Sequence, residues 1–370
     1  MRIAHVSTFP NMKCGIAFYA ADLVAALEGD EAELYALHYG TNSTPNSLAD
    51  ANANSEDEIV ALARRINASG CEVVSLQHEF GIWGGANGEN LLPFLKTLTK
   101  PIVSTLHTTF AIGARPQVQY EILAALVMRS ALSLALTPNS RATALDALRV
   151  PASRIAVVPH GVPAIPFVQP ADQQNADHYK IASIGFYRPD KGFEATLRAL
   201  QQLKAVGFCF EYNIVGAPQP QFAGQEEYLS ELQALVRTLH LEKEVSLDIA
   251  FPSQAEQIEL LQKSHIGVFA YQEPNQSSSG TIPLVIACGR PVVCTPFEFA
   301  RAKQSEMPEA VYLATDFSED ALAKTFSDAL TPTLFDARRA KRIYEHAIDW
   351  RWGKVARAYR QAFQFATVAS

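Results

Sequence analysis

Short apolar runs rich in valine, isoleucine and leucine recur along nearly the whole chain, and stretches with helical spacing separate them. Such runs are shorter than a typical buried helix, and a strand reads as nearly continuous apolar sequence when both its faces are covered. Helices on both faces of a parallel sheet give that cover, so the alternation predicts α/β architecture with parallel sheets. In the first half, strands are expected at 3–7, 33–39, 73–77, 102–106, 132–136 and 155–158. Helices are expected after Gly15 and over 57–67, 89–98, 117–129 and 141–148.

The rhythm breaks over 161–178, where Pro163, Pro166 and Pro170 precede the polar run Ala171-Asp172-Gln173-Gln174-Asn175. That composition reads as a linker. A second series of strands follows at 181–184, 212–215, 245–247, 266–270, 292–294 and 311–313. Two doubly wound domains joined near Gly161 account for the pattern, and 370 residues suffice for two cores. Near the end, Trp352, Val355, Ala356, Tyr359 and Phe363 share one helical face, which needs an apolar surface to cover.

Charge and cysteine usage narrow the function classes. A net charge of −7 lacks the basic face that nucleic acid demands, so no nucleic-acid partner is expected. Through Phe110 the chain carries six basic and twelve acidic residues, which opposes anionic lipid and leaves membrane contact at most peripheral. The five cysteines show no CxxC spacing, so neither a disulfide framework nor a zinc site is expected. The N-terminus turns polar at Ser7, and no apolar run approaches the roughly 18–20 residues of a membrane span. A reduced, cytoplasmic setting is the expectation.

Five constellations at strand ends could carry chemistry, since ligands of open α/β sheets sit beyond the carboxyl ends of strands. After the strand at 266–270 comes Tyr271-Gln272-Glu273-Pro274-Asn275-Gln276-Ser277-Ser278-Ser279-Gly280-Thr281. Its small residues feed a helix whose first amides suit a phosphate, although serines there also serve as ordinary caps. At the end of 181–184, Gly185-Phe186-Tyr187-Arg188-Pro189-Asp190-Lys191-Gly192 sets Arg188 and Lys191 beside a helix start, where they could neutralise a diphosphate. A glycine turn at Cys14 and Gly15 follows the first strand but is no GxGxxG. Gln77-His78-Glu79-Phe80-Gly81-Ile82-Trp83 runs into Gly84, Gly85 and Gly88, reading as a mobile, ligand-facing loop or as a tight turn that buries Trp83. His107 ends the strand at 102–106, where a histidine can donate to a hydroxyl or move a proton, though a lone histidine is more often structural.

In this order and spacing the five elements resemble retaining glycosyltransferases of the GT-B fold, family 4 (the glycosyl transferase group 1 type), over essentially the whole chain. The resemblance implies two facing Rossmann-like domains, an acceptor-side domain over 1–162 and a nucleotide-sugar-binding domain over 163–349. It also implies that the last helix, within 350–370, crosses back onto the first domain. Val158-Pro159-His160-Gly161-Val162 is similar to the family's step into the linker. Carried over by resemblance, the loop holding Gly15 approaches the donor diphosphate, His107 lies close to the transferred sugar, and Lys191 neutralises the phosphates. His78, Glu79 and Trp83 fall on the acceptor side.

Two departures stand out. The family arginine follows the strand-end glycine directly, whereas here Phe186 does and the arginine is Arg188. Family members commonly carry two glutamates eight positions apart, and those positions are Gln276 and Leu284. A branch with a Gln-Ser-x-Ser-Gly run fits better, with Glu273 and Gln276 as candidates for sugar and ribose contacts. The resemblance implies transfer of a hexose from a UDP- or GDP-hexose to a glycan or lipid-linked acceptor with retention, in glycan or surface polysaccharide synthesis. Arg188, Lys191 and the amides of Ser277, Ser278, Ser279 and Gly280 would stabilise the leaving diphosphate, so no metal or other cofactor is expected. Two other readings stay open: a GT-B sugar-nucleotide epimerase, which needs no acceptor, and a catalytically inactive nucleotide-sugar-binding protein.

Overall fold

The computed structural model of the protein describes residues 1–40, 44–170, 178–218, 224–330 and 336–368. The polar run from Ala171 to Asn175, expected as linker, lies outside them. Contacts divide the chain into two compact units, Met1–Gly161 with Trp350–Ser370, and Val162–Asp349.

In the first unit the order is β1 (Arg2–Ser7), α1 (Gly15–Ala26), β2 (Glu31–His38), β3 (Ala49–Asn52), α2 (Glu56–Ala68), β4 (Val73–His78) and α3 (Leu91–Thr97). Then come β5 (Ile102–Leu106), α4 (Gln117–Arg129), β6 (Leu132–Ala135), α5 (Pro138–Leu148) and β7 (Ile155–Val157). The seven strands pair in parallel in the order β3-β2-β1-β4-β5-β6-β7. Local chemistry sets the helix starts. Ser55 caps α2 through the Glu58 amide, with Glu56, Asp57 and Glu58 in the first turn complementing the dipole. Thr137 caps α5 and Pro138 opens it, starting that helix three residues before the expected Arg141. β3 was not expected: Ala-Asp-Ala-Asn has no β-branched residue, and only its edge pairing with β2 makes it a strand.

The second unit runs β8 (His178–Ile184), α6 (Phe193–Ala205), β9 (Cys209–Gly216), α7 (Gln225–Thr238), β10 (Val245–Ile249), α8 (Gln254–Lys263) and β11 (Ile266–Phe269). It continues with α9 (Thr281–Ala287), β12 (Val292–Cys294), α10 (Glu298–Glu306), β13 (Val311–Leu313), α11 (Glu319–Ala329) and α12 (Ala337–His346). Its parallel sheet has the order β10-β9-β8-β11-β12-β13. The last helix, α13 (Trp352–Val368), belongs to the first unit. Trp352, Val355, Ala356, Tyr359 and Phe363 are buried there with Tyr19 and Leu23 of α1, Val73 of β4 and Val103 of β5. Each large side chain so buried contributes about 1.5–3 kcal/mol, so α13 is integral to that core.

Both sheets reverse strand order beside their first strand, between β1 and β4 and between β8 and β11. Loops leaving the two strands on either side of such a reversal part company and open a crevice at the carboxyl edge. Among the described residues, no helix is long and apolar enough to cross a membrane.

Candidate active site

The loops singled out in the sequence leave the strands that flank these reversals. In the second unit, the loop after β8 carries Arg188 and Lys191. Asp190 lies between them, with Oδ1 2.6 Å from Arg188 Nε and Oδ2 3.2 Å from Lys191 Nζ. Lys191 also sits 4.1 Å above the Tyr271 ring, so the first residue of the serine-rich loop meets the cation of the other. Gly192 makes this junction possible: its φ is +68°, and a Cβ there would lie 1.8 Å from the Ala270 carbonyl oxygen. The Gln272 amide donates to Asp190 O at 2.9 Å, completing the seam.

The serine-rich loop is pinned from several sides. Thr295 Oγ1 donates to Tyr271 O at 2.6 Å, and the Glu298 and Phe299 amides donate to Pro274 O and Gln276 O. Ser277 and Ser279 are buried, Ser278 and Thr281 half-buried, and Gly280 exposed at the helix start. Ser279 Oγ lies 3.1 Å from Thr281 Oγ1, whose partner on the other side is Tyr271 OH at 3.2 Å. α9 has no side-chain bond from its N-cap Gly280 and spans seven residues, a short dipole. The expected sugar and ribose contacts are held within the loop: Glu273 Oε1 accepts from the Asn275 amide at 3.1 Å, and Gln276 Nε2 donates to Ser278 O at 3.1 Å. Leu284 is buried in the core face of α9.

In the first unit, Thr8 Oγ1 lies 3.1 Å from Cys14 Sγ, and Cys14 caps α1 by accepting from the Ala17 amide at 3.3 Å. Gly15 borders open space, since a Cβ there would meet nothing within 4 Å. Glu79, half-buried at the end of β4, accepts a short hydrogen bond from Thr108 Oγ1 and the amides of Phe80 and Gly81. Burial nonetheless holds its carboxyl above the ordinary glutamate range.

Two residues expected on the acceptor side are buried. Trp83 is wholly buried against Phe94, and its Nε1 donates to Gln77 O at 3.1 Å. The glycines around it serve packing: a Cβ on Gly84 would stand 1.9 Å from Ala53 O, and one on Gly88 2.7 Å from Phe80 O. The loop thus forms a tight turn that buries Trp83. His78 is equally buried, because strand alternation turns it to the face of Val74 and Leu76, away from Gln77. Neither ring nitrogen has a hydrogen-bond partner, and its ring meets Phe80 edge-on at 4.7 Å.

His107 lies at the centre of an aromatic cluster. Its ring stands at 90° to Tyr19 with centroids 4.8 Å apart, and Tyr19 also touches His160 and Trp352. Tyr19 OH is 2.9 Å from Tyr359 OH, which is 2.7 Å from Thr105 Oγ1. Tyr19 carries no sequence signal that separates it from core residues; Gln77, Tyr271 and Asp190 stand within the candidate loops, but only Asp190 is marked there, by its charge. Among the described residues, no three His, Cys, Asp or Glu side chains could hold a metal ion.

Buried histidines make acid stability a direct check on this unit. Burial lowers His5 from 6.5 to about 4 and His78 from 6.5 to about 3. Between those values and 6.5 only the unfolded chain takes up the protons. Stability is therefore complete above the unfolded value and falls as pH drops through the window, by about 1.4 kcal/mol per group per unit. Urea unfolding followed from neutral pH to about pH 4 should show a steadily falling midpoint. A constant midpoint would contradict the buried, neutral state of both rings.

No family profile matches the chain, and no curated protein does. Solved structures are similar over its whole length. The sucrose-phosphate synthase of Thermosynechococcus elongatus has a TM-score of 0.79 at 16% identity, covering 100% of both chains. HepE of Anabaena, solved with UDP and glucose, has a TM-score of 0.74 at 17% identity, covering 98% of this chain and 99% of its own. The α,α-trehalose-phosphate synthase (UDP-forming) of Burkholderia xenovorans, solved with glucose-6-phosphate, scores 0.74 at 12% identity over 98% of this chain and 100% of its own. The fold is that of the GT-B glycosyltransferases, two parallel-sheet α/β units.

Proposed function

We propose that the protein is a retaining, metal-independent glycosyltransferase of the family 4 type, moving a hexose from a nucleotide diphosphate sugar to an acceptor hydroxyl. The observation that carries this reading is the seam between the loops after β8 and β11. Two cations, Arg188 and Lys191, stand there at a strand-order reversal beside the serine-rich start of α9. Fixed cations and oriented amides are what a departing diphosphate needs, and they act without a metal. The similarity to HepE with UDP and glucose and to a UDP-forming trehalose-phosphate synthase supports a nucleotide sugar as donor and a sugar as acceptor. A glycan, free or lipid-linked, is the proposed acceptor. A reducing cytoplasm is the proposed setting.

The test is turnover of UDP- and GDP-hexoses over a panel of sugar acceptors, with and without a chelator. Acceptor-dependent release of nucleoside diphosphate that survives chelation, giving a product with the donor's anomeric configuration, is the expected outcome. Release without acceptor would indicate an epimerase. One observation favours a non-catalytic binder: Glu273 and Gln276 are both bonded within their loop and Leu284 lies in the core. Saturable binding of a nucleotide sugar with no turnover over the whole panel would select that reading.

A further inference from the structure

His107 ends β5 with one ring nitrogen bound and the other open. Its Nε2 lies 2.8 Å from Oε1 of Gln77, and both side chains are almost fully buried. An amide carbonyl oxygen can only accept, so Nε2 carries the proton. Nδ1 makes no hydrogen bond among the described residues and is not among the side-chain nitrogens sealed from solvent. Gln77 is itself held fast. Its carbonyl accepts from the Trp83 indole, and it pairs in register with Thr105 across β4 and β5. Tyr19 sets the plane of the imidazole from α1.

We propose that Gln77 is a positioning residue: it holds His107 as the neutral Nε2–H tautomer, so that Nδ1 is presented as a hydrogen-bond acceptor for a ligand hydroxyl. Such a nitrogen welcomes an O–H group and repels a phosphate oxygen, which also carries only lone pairs. His107 therefore reads a hydroxyl hydrogen and does not donate to the ligand. The identity of that ligand as a sugar rests on the glycosyltransferase reading; the tautomer does not. Tyr19 on α1 packs on the His107 ring, and the charges of His160, ahead of the linker, and of His78, turned to the other face of β4, also act on it. Burial, then His160 and His78, keep the imidazole well below its ordinary pKa, so the neutral form persists into mild acid.

Nitrogen NMR of protein labelled at histidine tests this without substrate. His107 is expected to show the Nε2–H tautomer alone through neutral and mildly acidic pH. Gln77→Leu should release the lock, so that both tautomers appear, in protein whose circular dichroism matches the parent. Gln77→Glu places a carboxylate on Nε2–H and should raise the His107 pKa by about one unit or more. An Nδ1–H tautomer in the parent protein overturns the proposal, as does an unchanged single tautomer in Gln77→Leu. Should Gln77→Leu fail to fold, the parent tautomer and the Gln77→Glu titration still decide. Absence of sugar transfer by the parent protein would sink the functional reading and leave the tautomer result standing.

Discussion

Arg290→Ala should lower the stability of the second unit by about 4 kcal/mol, a fall in Tm of roughly 8–16 °C. Arg290 is 1% exposed. Its guanidinium donates only to backbone carbonyls among the described residues: Gln262 O at 2.6 Å, Ser264 O at 2.8 Å, Cys288 O at 3.1 Å and Val168 O at 3.2 Å. Gln262, Ser264 and Cys288 lie at the C-terminal ends of α8 and α9, where the carbonyls lack helical partners and the dipole is negative. One planar cation thus closes two helices and ties down Val168 within the stretch expected as linker. Alanine leaves these acceptors unpaired in a buried place, at about 1–3 kcal/mol each before relaxation or water entry. Arg290→Lys should recover less than half, because one ammonium cannot span the fork. Calorimetry reads both variants, and a loss under about 1 kcal/mol for alanine would mean that the carbonyls find other partners.

Lys191→Ala should weaken binding of a nucleoside diphosphate at least tenfold, about 1.4 kcal/mol, with Tm almost unchanged. Its present partners account for the small structural effect. The contact with Asp190 at 3.2 Å is a partly screened ion pair, and the Tyr271 ring at 4.1 Å is a modest cation–π contact. A phosphate oxygen would form a stronger charge-assisted bond than either. Asp190 holds Lys191 and Arg188 together, so a diphosphate bound there would meet two cations already paired in position. Titration calorimetry with UDP and GDP measures the loss. A change much below tenfold would remove Lys191 from the phosphate contacts.

The fold was largely legible because its signal is periodic. The expected strand at 102–106 recurs as β5 with the same ends, and those at 292–294 and 311–313 as β12 and β13. β3 was invisible, since edge pairing and not residue preference makes it a strand. Site loops could be located for a general reason: residues beyond a strand end fall at the carboxyl edge. The direction of a side chain there could not be read. His78 and Gln77 are neighbours on one strand, yet one enters an apolar core and the other bonds His107. The glycines around Trp83 fit a mobile, ligand-facing loop or a tight turn from sequence alone, and three-dimensional crowding at Gly84 and Gly88 decides its burial. Arg290 gave no warning either, because carbonyls from separate segments are its partners.

The covering of the first sheet by α13 bears on how the chain matures during synthesis. β1 to β7 leave the ribosome first, but the face beneath Trp352, Tyr359 and Phe363 has no cover until all of the second unit has followed. Val162–Asp349 can close its own core while Tyr19, Leu23, Val73 and Val103 still wait for theirs. Domains made first are ordinarily finished first; here the order is reversed. The first-made strands are therefore expected to keep an apolar face exposed until α13 has been synthesised.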